Sequence, residues 1–138
     1  MNFSNPLLPA VALVVVTAVV WVRLYVDRIG EMRRKRIDAQ SLATAQSAAE
    51  LLQHVNASNN FKNLFEAPVL FYVLCLAVAL TGTQLRFIEV GSWVYVVLRA
   101  LHSAIHCTYN NVMQRFVVYA ASTILLFCMW GAFGVTLL

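Results

Sequence analysis

Charge is what this chain has least of. Ten Lys and Arg and six Asp and Glu in 138 residues leave 12% of positions charged, while 61% are hydrophobic. The mean hydropathy is +0.73. Soluble domains run nearer a quarter charged and half apolar, so the composition excludes a water-soluble globule and indicates an integral membrane protein. The length allows one domain, expected to occupy residues 1–138. The five glycines form no phosphate-cradling pattern, which excludes the common nucleotide-binding loops. Cys75, Cys107 and Cys128 are scattered, odd in number and without a C-x-x-C. They read as small packing residues, not as a disulfide framework or a zinc site. Cys107, near a helix end, has the one claim to reactivity.

Long apolar runs take up the rest. Pro6 and Pro9 suit a first helical turn, and residues 7–26 are apolar apart from Thr17 and Arg23. At 1.5 Å per residue that run is about 30 Å long, enough to cross a bilayer. Residues 1–6 carry no charged side chain, so the run lacks the basic lead of a signal peptide and is expected to be retained. Further spans are expected at about 64–81, 87–105 and 116–138, the last without any charge. Ser58, Asn59 and Asn60 are N-cap candidates for the second. The polar hairpin at 83–86 is too short to join anything but antiparallel neighbours. The expected fold class is all-α, an integral membrane four-helix bundle. Between the first two spans, Leu42, Ala45, Ala49 and Leu52 recur at helical spacing. That pattern predicts a short amphipathic helix at the membrane surface, or an extension of a span. Tyr25, Trp93, Tyr95 and Trp130 read as lipid or interface anchors.

The basic residues set an orientation. Arg28, Arg33, Arg34, Lys35 and Arg36 crowd the first connection, and Lys62 follows before Leu64. The positive-inside rule places that connection in the cytoplasm and both termini on the opposite side. The cluster also suits anionic lipid headgroups. No basic fold surrounds it, so nucleic acid is not an expected partner.

Polar residues inside the spans are few and grouped. Arg99, His102 and His106 fall within about 60° of arc on one helical face. Arg115 and Tyr119, four apart, share a face of the next span. An ionised group deep in hydrocarbon costs about 2.5–3.5 kcal/mol on insertion scales, so such residues face a bundle interior or a wet cavity. The antiparallel topology brings Arg23, Lys62, Asn63, Glu66, His102, His106, Arg115 and Tyr119 toward the cytoplasmic end, with Arg99 about two turns deeper. For Arg23 and Lys62, snorkelling to headgroups is the plain alternative. Arg99 is expected to pair with Glu66. His102 and His106 lack a third metal ligand, and no metal is expected. Several cations, one carboxylate and a tyrosine suit a small zwitterionic ligand of net negative charge.

At these residues the sequence resembles the MAPEG family, the membrane-associated proteins of eicosanoid and glutathione metabolism. Family enzymes of the prostaglandin E synthase type carry an Arg-His-Tyr-Arg-Arg-Tyr series, whose positions here are Arg99, His102, His106, Asn111, Arg115 and Tyr119. Asn63 and Glu66 match the family's Asn-x-x-Glu pair, Lys62 stands where an Arg often precedes it, and Arg23 matches a basic residue ending the first helix. The chain departs from the pattern at His106, where the family has Tyr, and at Asn111, where it has Arg. The resemblance covers essentially the whole chain. It implies a homotrimer in a bacterial inner membrane, with glutathione bound between subunits near the cytoplasmic face. Arg23, Lys62, Asn63, Glu66, His102 and His106 would hold the tripeptide. Arg115 would stabilise its thiolate with help from Tyr119, and a lipophilic electrophile would arrive from the bilayer. The implied activity is a glutathione transferase or peroxidase. A non-catalytic lipid-binding or scaffold member of the family is the alternative. A four-span multidrug exporter needs an acidic residue in its first span, and residues 7–26 contain none.

Overall fold

A computed structural model describes residues 5–53 and 55–138. Six α-helices and one 3-10 turn make up its elements, with no strand among the described residues. They are α1 (Leu7–Lys35), the turn Ala39–Leu42, α2 (Ala45–Leu51), α3 (Asn56–Asn63), α4 (Ala67–Thr81), α5 (Arg86–Cys107) and α6 (Val112–Val135). Four segments are long and apolar enough to cross a membrane, α3 and α4 together forming one of them. The protein is a four-helix integral membrane bundle.

Helix α1 runs past the apolar stretch and through the basic cluster. Pairs at i, i+4 support the extension: Arg23 Nε lies 3.0 Å from Asp27, and Lys35 Nζ 2.6 Å from Glu31. Arg33, Arg34 and Lys35 crowd the last turn, where the helix dipole favours cations. Arg36 then closes the helix in the left-handed region, φ 52°. The following connection is folded back on this extension. Thr44 caps α2 through a reciprocal bond with Ser47. The Gln53 amide donates to Glu31 Oε1 at 2.8 Å, and Lys35 Nζ to the Leu51 carbonyl at 3.2 Å. A short helix is thus present where the amphipathic one was expected, with Leu42 in the 3-10 turn before it and Leu52 just past its end. Leu52 is buried against its neighbours, while the side chains of Ala45 and Ala49 lie outside the described set.

The second span differs from expectation. Ser58, Asn59 and Asn60 lie inside α3 and do not cap it. The helix breaks at residues 64–66 because Pro68, in the first turn of α4, cannot donate to a preceding turn. This break turns out to position the site.

The core lies between the four spans. Leu13, Phe71, Leu74, Leu126 and Met129 are fully buried. Helices α5 and α6 share the most extensive contact, and at Gly91 an added Cβ would sit 2.8 Å from Met129 Sδ. Val11, Val15, Val19, Leu76, Val97 and Ile124 instead face outward. An apolar exterior is what a lipid environment requires of a span whose backbone bonds are all internal. Tyr95, read from sequence as an anchor, is fully buried and stacks on Phe71 at 4.5 Å. Its i, i+4 relation to Arg99 puts it on the inward face.

Candidate functional site

The turn between α5 and α6 sets the site's entrance. Asn110 takes a left-handed conformation, φ 48°, which an asparagine tolerates better than most residues. Asn111 caps α6 by accepting from the Gln114 amide at 3.1 Å. The tight turn brings Arg115 back over the end of α5. There its Nη1 donates to Asn110 Oδ1 at 2.7 Å, and its carbonyl lies 3.2 Å from His102 Nδ1.

That last contact assigns a tautomer. A carbonyl oxygen can only accept, so Nδ1 of His102 carries the proton and Nε2 of the neutral ring is a bare acceptor. Nε2 has no partner among the described residues. The His102 ring also lies 5.8 Å from Tyr119 and 5.7 Å, edge to face, from His106.

Arg99 lies beneath. It is 0% exposed. Its Nη2 donates to the Asn63 carbonyl at 3.0 Å, and its Cζ stands 5.4 Å from the Tyr119 ring centre, a cation–π contact. Its Nε and Nη1 have no partner among the described residues. The ion pair expected between Arg99 and Glu66 is not among the bonds formed. The α3–α4 break turns the Asn63 carbonyl, one of the freed backbone acceptors at a helix end, toward the guanidinium. Glu66, in the break itself, is left exposed.

In front of these groups is an open cleft of about 250 Å³. Asn63, Glu66, His102, Arg115 and Tyr119 line it, with Val112 and Phe116 as an apolar wall. Five residues singled out from sequence therefore meet at one cavity. Three others do not line it. Lys62 is exposed on α3. His106 is buried behind His102, its Nδ1 unpartnered. Arg23 is exposed beside Asp27 and borders a separate apolar groove of about 330 Å³ between α1 and α5.

The chain matches the MAPEG family over residues 6–135. It belongs to that family. No curated protein and no solved structure matches it. Membership and the four apolar spans together make it an integral, multi-pass membrane protein of the MAPEG type. Neither position that departs from the family pattern lines the cleft: Asn111 serves as a helix cap, and His106 packs against a neighbouring imidazole.

Two groups of residues escaped the sequence reading. Val112 and Phe116 form the apolar wall, and their i, i+4 spacing beside Arg115 and Tyr119 was the available signal. Asn60 is 0% exposed. It accepts from Ser103 Oγ at 3.4 Å, and its Nδ2 reaches Cys107 Sγ at 3.5 Å. It ties α3 to α5 close behind the cleft. A candidate cap and a buried asparagine look alike in sequence. Among the described residues no group of three His, Cys, Asp or Glu is placed to hold a metal ion.

Proposed function

We propose that this MAPEG protein binds glutathione in the cleft and uses it as a membrane-embedded transferase or peroxidase on a lipophilic electrophile. One observation carries the reading: Asn63, Glu66, His102, Arg115 and Tyr119, from three helical segments, line a single cavity. The donor set fits the tripeptide. Arg115 suits a carboxylate or an anionic sulfur, and Glu66 an ammonium. Val112 and Phe116 give an adjacent apolar surface for the second substrate.

When bound, glutathione supplies the thiol nucleophile. A thiol with a pKa near 8.5 is mostly protonated at neutral pH. The Arg115 guanidinium favours its anion by direct charge pairing, and Arg99 adds a second positive charge beneath the floor. Tyr119, held between Arg99 and His102, donates a hydrogen bond toward the sulfur or fixes the peptide beside it. The Nδ1 bond to the Arg115 carbonyl fixes the His102 ring against the start of α6.

Arg23 and Lys62 enter the reading through assembly. Both are exposed and stand outside their own protomer's cleft. In a homotrimer with its clefts between subunits, they would be available to the tripeptide's carboxylates. The basic first connection supports a cytoplasmic cleft and, for a bacterial chain, an inner-membrane location with both termini outside the cytoplasm.

Isothermal titration of the detergent-solubilised protein with glutathione tests the reading. Saturable binding that weakens in Arg115→Ala and in Glu66→Gln is the expected result. A flat titration of folded protein overturns it.

A further inference from the structure

The end of the bundle opposite the cleft carries a further cavity, of about 310 Å³. It forms where the start of α1, the end of α4 and the start of α5 meet. Gln84, Arg86, Glu89 and Ser92 line it, over an apolar floor of Val78 and Ile88. Nothing in the glutathione reading uses these residues.

Two features mark it as more than a packing gap. Ser92 is 4% exposed, yet its hydroxyl makes no hydrogen bond among the described residues. Hydroxyls in apolar helices ordinarily bond back to a carbonyl one turn earlier. Thr17 does so to Leu13 at 3.0 Å and Thr81 to Ala77 at 2.9 Å. Ser92 faces the cavity instead. The second feature is the start of α5, whose N-cap residue is Leu85, with no side chain able to cap. The Ile88 and Glu89 amides both go to the Leu85 carbonyl, at 3.0 Å each. The amides before them, of Arg86 and Phe87, have no acceptor among the described residues.

The charges are paired. Arg86, its side chain 81% exposed, reaches over the rim, with Nη1 3.2 Å from Glu89 Oε2. Arg86 and the free first-turn amides favour a phosphodiester. Glu89 favours a protonated amine. Their charges sum to zero, so the ligand that answers both is a zwitterion. The cavity also sits where three apolar segments begin or end, at Leu7, Thr81 and Arg86. That is the boundary between hydrocarbon and water. Its volume is at the low end of the roughly 300–1,000 Å³ typical of small-molecule sites.

We propose that this cavity binds the headgroup of an aminophospholipid of the phosphatidylethanolamine type. Arg86 and the α5 amides take the phosphate, Glu89 the ammonium, and Ser92 the remaining oxygen at the floor. The acyl chains lie along the exposed apolar faces of the adjoining spans. A choline headgroup has no N–H to give Glu89, and an anionic glycerol headgroup brings its negative charge beside that carboxylate without an ammonium to offset it.

The test is native mass spectrometry of the full chain released from nanodiscs with equimolar ethanolamine, choline and glycerol phospholipids. The wild type should retain the ethanolamine lipid over the choline lipid by about tenfold, the worth of one charge-assisted hydrogen bond. In Glu89→Gln that preference should fall toward one. In Arg86→Gln all three lipids should be lost more readily. Equal retention by the wild type, a preference for the glycerol lipid, or an undiminished preference in Glu89→Gln each overturns the proposal. Should Glu89→Gln fail to fold, Ser92→Leu fills the cavity from its floor and should abolish the preference. A further arm adds soluble phosphoethanolamine. Displacement of retained lipid supports headgroup recognition, whereas binding of the soluble compound with no lipid retained assigns the cavity to a free metabolite and overturns the lipid reading.

Discussion

Arg99 shows how this bundle tolerates a buried charge. A carbonyl freed by the α3–α4 break and the face of Tyr119 receive the guanidinium, with no carboxylate bonded to it among the described residues. Two nitrogens stay unpartnered, so the floor of the cleft retains positive character. Arg115 differs, being partly exposed with one bond to Asn110 and a face on the cavity. The chemistry of the site should therefore rest on Arg115 first. Bound glutathione should show the near-ultraviolet absorbance of a thiolate at neutral pH. In Arg115→Ala the band should fade and the thiol pKa should rise toward its free value, with only a modest loss of affinity. Tyr119→Phe should do less, because a neutral hydrogen bond contributes about 1 kcal/mol and a charge partner about twice that. Tight binding by the wild type without a thiolate band would refute the catalytic role and leave the non-catalytic family reading.

At the scale of elements, the break in the second span and the overlong first helix decide where things sit. The sequence carried both signals in part. Pro68 announces an interruption, but which carbonyl it frees, and toward what, depends on α5 lying alongside. The basic cluster reads as a loop by composition, yet it remains helical because Glu31 and Lys35 bond within α1 and then hold the returning chain. Glu31 is 3% exposed, which no pattern of charges in a basic stretch suggests. Removing it should loosen the connection and leave the spans intact. In Glu31→Ala, hydrogen exchange at the Gln53 amide should quicken tenfold or more, since a hydrogen bond to a charged group contributes about 1.5–3 kcal/mol. Exchange within α4 and α6 should be unchanged. Unaltered exchange at Gln53 would show that the contact does not hold the segment.

For the whole molecule, the basic first connection predicts an orientation in the membrane. A reporter active only in the cytoplasm should give no signal when fused after Leu138, and a strong one when inserted near Ser41. The reverse pattern would place the cleft on the other side of the membrane, away from the cytoplasmic glutathione pool. It would leave the cleft's geometry untouched.

Hydropathy and spacing were enough for the helices, the membrane and the grouping of polar residues at one end. Those properties follow from periods of 3.6 residues, run lengths and the cost of charge in hydrocarbon, all of which are local. Tertiary structure alone decided which members of that group meet. Asn63, Glu66, His102, Arg115 and Tyr119 reached one cavity, while His106 and Arg23, alike in sequence, did not. A helical face spans about 100°, wide enough for one residue to line a cleft while another one turn away packs behind it. Only the position of the neighbouring helix separates the two. The same holds for Asn60 and Ser92. Each is a small polar residue on a helix, and only the packing around it made one a buried tie and left the other facing an open cavity.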